Sequence, residues 1–236
     1  MNHDNKKGFT LIELMLSMTF IAILLVAIAL TTIQISTIYT KGITLREVDQ
    51  AGRSLSDELQ RNISSSVPFD VTPKKDDSPA TATSKYVVRD GVGGRLCLGR
   101  YTYAWNYGKV LGTSSVYNKY TDGTEIRFVK VTDPGGVLCA TPALNIQKAD
   151  SKDLLTSGDR DLVVHAFTIT KTSSDEEIGQ ALYAISVTIG TNDRQQLTTN
   201  DTSCKPPSEG VGDESYCSVN QFDIIARAGN KSKGGQ

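Results

Sequence analysis

The chain has 236 residues, of which 39% are hydrophobic and 22% are charged. This composition fits one folded domain and excludes collagen-like, highly charged disordered and multi-pass membrane proteins. The formal net charge is -1, so the chain lacks the cationic excess that nucleic-acid binding generally requires, and we do not expect nucleic acid as a partner. The two histidines, His3 and His165, lie far apart in sequence, which disfavours a histidine dyad or zinc site. We therefore expect no enzyme activity, metal or cofactor.

The first element in chain order is a long apolar segment. Residues 14–40 contain no charged side chain. As a helix this stretch is about 40 Å long, which is enough to cross a hydrocarbon core of about 30 Å. Lys6 and Lys7 precede it, so the positive-inside tendency places the N-terminus in the cytoplasm and the remainder of the chain outside. No A-x-A cleavage pattern follows, so we expect the segment to stay attached.

A single acidic residue, Glu13, lies at the start of this segment. An unpaired carboxylate inside a bilayer costs several kcal/mol unless a cation meets it. Glu13 is therefore expected to have a cationic partner. The alternative is an ordinary signal anchor, in which Gly8 is a turn residue and Glu13 contacts solvated headgroups.

Residues 6–15, KKGFTLIELM, resemble the class III signal of type IV pilins and type II secretion pseudopilins. The resemblance implies that a membrane prepilin peptidase cuts between Gly8 and Phe9 and methylates the new N-terminus at Phe9. It also implies that Glu13, the fifth residue of the mature chain, pairs with the N-terminal amine of a neighbouring subunit. The residues that carry the leader signal are Lys6, Lys7 and Gly8.

Apolar residues continue at helical spacing beyond the uncharged segment. Leu55, Leu59 and Ile63 recur at threes and fours, and Pro68 disfavours helical geometry in the residue before it. These patterns predict one helix from residue 9 to about residue 65. The expected organisation is a leader at 1–8, a transmembrane and assembly helix at 9–40, its amphipathic continuation at 41–66, a sheet-rich extracytoplasmic domain at 67–229 and a disordered tail at 230–236.

The pattern changes to period two after a polar loop at 68–85. The clearest alternation is at 181–190, and its expected antiparallel partner is 163–170. These features predict an α+β fold, in which a long N-terminal helix packs against an antiparallel β-sheet domain, as in pilins. The strand candidates are 86–88, 95–105, 124–132, 161–171, 181–190 and 221–228.

Four cysteines, Cys97, Cys139, Cys204 and Cys217, all fall in the part expected outside the cytoplasm, where disulfides persist. Three pairings are possible. We favour Cys97 with Cys139 and Cys204 with Cys217, because the second pair closes a short loop and the first pair lies at or near strand ends. A cysteine metal site is the alternative, although the chain has no C-x-x-C pair and no histidine near these cysteines.

Aromatic residues alternate at Tyr101, Tyr103, Trp105 and Tyr107. Core or cross-strand packing is the main interpretation, and stacking on a sugar is the alternative. His165 lies in an apolar strand and is interpreted as a core histidine that shares a face with Val163, Phe167 and Ile169.

The segments at 53–63 and 217–230 are similar to PilW-type minor pilins and J-type pseudopilins. The resemblance implies a minor pilin or pseudopilin subunit with a tip or initiation role in a type IV pilus. The alternatives are a type II secretion or DNA-uptake pseudopilin, and a membrane-anchored adhesin or carbohydrate-binding module.

The same resemblance implies where the chain resides and what it contacts. It implies a single-pass protein of the inner membrane, with its N-terminus in the cytoplasm and its domain outside, that later enters a surface pilus or pseudopilus. The implied partners are other pilin or pseudopilin subunits, the prepilin peptidase and methyltransferase, an inner-membrane assembly platform and, before assembly, membrane lipid.

Overall fold

The computed structural model describes residues 9–75, 85–141, 144–155, 158–175, 177–206, 208–209 and 214–229. The expected leader at 1–8 and tail at 230–236 lie outside these ranges. The chain begins with one α-helix, α1, at Leu11–Ser64. The strands are Lys74–Lys75 (β1), Tyr86–Arg89 (β2), Gly93–Cys97 (β3), Tyr101–Asn106 (β4), Lys119–Tyr120 (β5), Phe128–Thr132 (β6), Asn145–Ile146 (β7), Ser151–Asp153 (β8), Leu162–Asp175 (β9), Gln180–Thr191 (β10) and Val219–Ala228 (β11).

Helix α1 has two unlike halves. Residues 9–39 are all exposed, whereas one face of the half that follows is buried against the rest of the chain. The predicted helix is therefore confirmed to within about two residues at each end. The buried helix residues are Thr44, Val48, Ala51, Gly52, Leu55, Leu59, Asn62 and Ile63.

The strands form two main sheets. The larger has the order β1-β2-β3-β4-β6-β8 and is antiparallel except for the β1–β2 pair, and the smaller is the antiparallel sheet β11-β10-β9. Strands β5 and β7 form a short parallel pair beside them. The predicted α+β fold is confirmed, and so is the predicted pairing of the two clearest strands, in which Ile185 lies opposite Ile169.

Two predicted strands are shorter than expected. The candidate at 95–105 is wrong as a single strand, because β3 ends at Cys97 and β4 begins at Tyr101. A tight turn separates them, in which Gly99 has a φ of 83° and the Leu98 amide donates to the Tyr101 carbonyl oxygen. The candidate at 124–132 is a strand only from Phe128 onward.

The two sheets and the buried half of α1 enclose the main hydrophobic core. Its centre is Trp105 on β4, whose ring centroid lies 4.3 Å from that of Phe167 on β9 and 5.7 Å from that of Phe128 on β6. Gly94 on β3 gives the indole its space, since a Cβ there would lie 2.6 Å from the Trp105 ring. The aromatic cluster thus holds the larger sheet against the smaller one.

His165 departs from the predicted alternation. The register with β10 shifts within β9, so Val164 and Ala166 face consecutive residues of β10 and His165 is an extra residue between them. Val164 therefore joins Phe167 in the main core, and the predicted shared face of His165 with Phe167 is wrong. His165 is half-buried, and burial lowers its pKa below the ordinary value.

Three contacts fix the second half of α1 to the sheets. A Cβ on Gly52 would lie 2.1 Å from the ring of Phe222 on β11, so the ring packs directly on the helix backbone. Glu58 pairs with Lys130 of β6 at 2.5 Å, and Asp49 accepts a hydrogen bond of 2.7 Å from Asn220. The helix is thereby tied to both sheets.

The Glu58–Lys130 ion pair makes this contact sensitive to pH. Burial disfavours the charged carboxylate, but the Lys130 ammonium, with the Asn62 amide and Lys152, outweighs it, and the pKa of Glu58 lies below its ordinary value. The pair therefore contributes stability above the carboxyl's unfolded-state pKa, and this contribution is lost as the pH falls through the lowered folded-state pKa.

Two disulfides close loops in the sheet domain, Cys97–Cys139 and Cys204–Cys217. They are the pairs favoured from the sequence. All four cysteines are bonded in this way, so none of them is a free thiolate that could bind a metal.

Candidate functional site

The first turn of α1 is closed by a reciprocal pair of side chains. The Thr10 amide and hydroxyl donate to Oε2 of Glu13 at 3.0 and 2.8 Å, and the Glu13 amide donates back to the Thr10 hydroxyl at 3.4 Å. This is a capping box, which satisfies amide donors that have no partner within the helix. It also places a negative charge at the positive end of the helix dipole. Glu13 is therefore held at the N-terminal end of the helix, one turn from Phe9.

Sequence reasoning singled out Glu13 but missed Thr10. The available signal was the T-x-x-E spacing ahead of an apolar run, which is typical of a capping box. The remaining predicted processing residues have no comparable test, because Lys6, Lys7 and Gly8 lie outside the described residues. Phe9 is 85% exposed at the start of the described chain. Cleavage after Gly8 and methylation of Phe9 remain predictions.

The first half of α1 is an apolar surface without a partner in the described chain. Its most apolar 18-residue window has a mean hydropathy of 2.6, and none of that window is buried. Exposed patches on soluble monomers rarely exceed a few hundred Å². The length and composition of this helix half suit a membrane span.

Hydroxyl groups along this half do not make it polar. Five of them donate to a backbone carbonyl oxygen three or four residues earlier, at 2.9 to 3.1 Å. A hydroxyl satisfied in this way can enter an apolar environment at little cost, because it leaves no unpaired donor. The residues concerned are Ser17, Thr19, Thr31, Thr32 and Thr37.

The alternating aromatic residues belong to the core. Tyr103 and Trp105 are both fully buried, so the packing interpretation is confirmed for them and the sugar-stacking alternative is wrong. Tyr101 is partly covered by Lys130, whose Nζ lies 3.7 Å from the ring centroid, and Tyr107 is also partly buried. These four residues do not form an exposed platform for a sugar.

The fold and the helix together define the class of protein. A long N-terminal helix, apolar and exposed in its first half and packed on antiparallel sheets in its second, has the pilin-like architecture expected from the sequence. The family model described as the prokaryotic N-terminal methylation motif matches residues 3–33. This match supports a type IV pilin-like or pseudopilin-like precursor that is processed by a peptidase, assembles with other pilins and is anchored in a membrane.

The likeness does not extend further along the chain. No curated protein and no solved structure matches it. The comparisons therefore do not support the narrower similarity to PilW-type minor pilins or J-type pseudopilins.

Proposed function

We propose that the chain is a structural subunit of a type IV pilus or a related pseudopilus. In this proposal it is made as a membrane precursor, cut after Gly8, methylated at Phe9 and assembled through α1. The observation that carries the proposal is the coincidence of the methylation motif with an apolar helix half that is exposed throughout residues 9–39. A surface of that kind is stable in lipid before assembly and among other helices afterwards.

Glu13 sets the position of the subunit in the filament. Both hydrogen bonds from Thr10 go to Oε2, and no partner binds Oε1 within the described part of the chain. Oε1 is thus free to accept the ammonium group that cleavage creates on Phe9 of a neighbouring subunit. Pairing these two charges offsets much of the cost of several kcal/mol that each would carry alone in an apolar environment.

The capping box has a separate purpose in this scheme. It holds the carboxylate at the helix terminus and fixes its side-chain conformation before a neighbour arrives. Fixing a group in its bound geometry reduces the entropy lost on association. The ion pair therefore forms without first ordering Glu13.

We also propose that the subunit has a tip or initiation role. Support comes from its sheet domain, which has two main sheets and two disulfides and is large relative to the assembly helix. A pseudopilin of type II secretion or DNA uptake would use the same signal and helix, and it is the alternative. The number of copies per filament distinguishes a tip subunit from a shaft subunit.

Glu13→Gln is expected to reduce incorporation into filaments by about tenfold or more, the effect of losing at least about 1.4 kcal/mol of pairing energy. The glutamine oxygen still accepts the hydrogen bonds from Thr10, so the helix start is retained while the charge is lost. Incorporation is measured as the ratio of filament-bound to membrane-bound subunit in sheared filament preparations, which also give the copy number.

Thr10→Ala is the matched control. It removes the cap, at a cost of about 1 kcal/mol of helix stability, but keeps the charge of Glu13. We expect a much smaller loss of incorporation than for Glu13→Gln, because only the advance ordering of the Glu13 side chain is lost. Normal incorporation of Glu13→Gln would contradict the proposed ion pair, and equal losses in both variants would assign the effect to the cap.

A further inference from the structure

We propose that the end of the sheet domain nearest the apolar half of α1 docks on the lipid headgroup layer while the subunit is still in the membrane. This inference rests on the membrane anchoring proposed above. The partner is the headgroup layer of a bilayer, and the contact is made by exposed side chains, together with the partly exposed Arg160, around the point where α1 enters the domain. We call this surface the rim, and its residues are Tyr39, Lys41, Leu45, Arg46, Arg160 and Tyr216.

The length of the uncharged helix sets the level of the rim. The distance between Glu13 and Lys41 along the helix is about 42 Å at 1.5 Å per residue. A bilayer with its headgroups is about 40–45 Å thick. Placing Glu13 and Lys41 at the two headgroup layers puts Tyr39 in the outer interface, the region in which tyrosine is enriched.

The domain first contacts the helix just beyond this level. The Thr44 hydroxyl donates to the Ser215 carbonyl oxygen at 3.0 Å, and the Arg160 amide donates to the Glu47 carboxylate at 3.1 Å. Thr44 and Glu47 lie about 5 and 9 Å beyond Lys41 along the helix axis. The chain around Arg160 and the 3-10 turn Glu214–Tyr216 are therefore held at the outer surface of the headgroups.

The side chains at this level suit an interface between lipid and water. Tyr216 is 43% exposed and Leu45 is 48% exposed. The Arg160 guanidinium carbon lies 4.5 Å from the centroid of the Tyr216 ring, so a cation and an aromatic ring form one amphipathic unit. Such side chains place their apolar parts against lipid and their polar ends among the headgroups.

The charges around the rim do not require acidic lipids. Lys41, Arg46 and Arg160 are accompanied by the carboxylate of Glu47 and by Asp159, the neighbour of Arg160 in the chain, and Glu47 is already bonded to the Arg160 amide. The rim therefore lacks the cluster of uncompensated basic residues that recognises anionic membranes. Docking on zwitterionic lipid is the expected behaviour.

Gly42 lies between the membrane segment and the rim. A Cβ there would meet no atom within 4 Å, so no packing contact requires a glycine at this position. A glycine inside a helix weakens it by about 1 kcal/mol relative to alanine. This local weakness lets the rim adapt to the headgroups at different tilts of the span.

Tryptophan quenching by headgroup-nitroxide lipids tests the proposal on the full chain in phosphatidylcholine vesicles. The one native tryptophan, Trp105, is fully buried and provides the baseline. Tyr216→Trp reports on the rim. Ile178→Trp is the matched control, because Ile178 is 61% exposed beyond the far end of β10. Leu25→Trp, read with acyl-chain nitroxides, reports on the span itself.

We expect headgroup nitroxides to quench Tyr216→Trp several-fold more strongly than Ile178→Trp. Equal quenching of these two variants would overturn the proposal. So would an unquenched Tyr216→Trp alongside a quenched Leu25→Trp, a result that leaves membrane anchoring intact. An unquenched Leu25→Trp would overturn both the rim and the anchoring. Leu45→Trp reports from the same level, so misfolding of Tyr216→Trp still leaves a decisive measurement.

Discussion

Trp105→Ala is expected to lower the free energy of unfolding by about 3–5 kcal/mol. The indole is fully buried and contacts Phe128 and Phe167, so its loss leaves a cavity where the two sheets meet. Close packing of Gly94 against the ring limits how far the neighbouring strands can move to fill the space. The measurement is guanidinium unfolding of the full chain in detergent, followed by far-ultraviolet circular dichroism.

Ile225→Ala is the control for this variant. Ile225 belongs to β11 but is 70% exposed, and surface substitutions of this kind change stability by about 0.5 kcal/mol or less. A loss below about 1 kcal/mol for Trp105→Ala would contradict the central place of this residue in the core.

Removal of the Cys97–Cys139 disulfide, by replacing both cysteines with alanine, is expected to cost about 4 kcal/mol in the chain-entropy model. The bond closes a loop with a sequence separation of 42 and links the 3-10 turn at Val137–Cys139 to β3. The cost arises because the unfolded chain gains freedom that the bond had removed. It is measured by the same unfolding experiment under non-reducing conditions.

The second disulfide supplies the comparison. Cys204–Cys217 closes a shorter loop, with a separation of 13, and its removal is expected to cost about 3 kcal/mol. The order of the two losses is therefore the informative result. A larger loss for the shorter loop would show that native contacts at these cysteines outweigh chain entropy.

Much of the fold follows from local sequence pattern. The second half of the helix and the β9–β10 hairpin are predictable because apolar residues recur at helical or alternating spacing in each of them. In the structure these apolar residues mostly face the core. The favoured disulfides also form, since short separation and strand ends limit which cysteines can meet.

The errors arise where tertiary structure interrupts a period. A single glycine, Gly99, reverses the chain inside what looks like one strand. One extra residue at His165 changes which side chains face the core of β9. Neither event alters the average composition of its segment, so periodicity alone cannot locate it.

The candidate site also has one part that is predictable from the sequence and one part that is not. Glu13 is predictable because a carboxylate in an apolar helix stands out on energetic grounds. The rim is not, because Arg160 and Tyr216 are distant in sequence from the helix residues beside them and meet them only when the domain folds.

The mature N-terminus provides the most direct test of the proposed function. The full chain is expressed with an active prepilin peptidase and, in parallel, with an inactive one, and the membrane-bound product is analysed by mass spectrometry. Assembly through Glu13 requires an amine on Phe9, so we expect a chain that begins with N-methylated Phe9 only when the peptidase is active. A chain that remains uncut, or that begins at any other residue, would contradict the proposal.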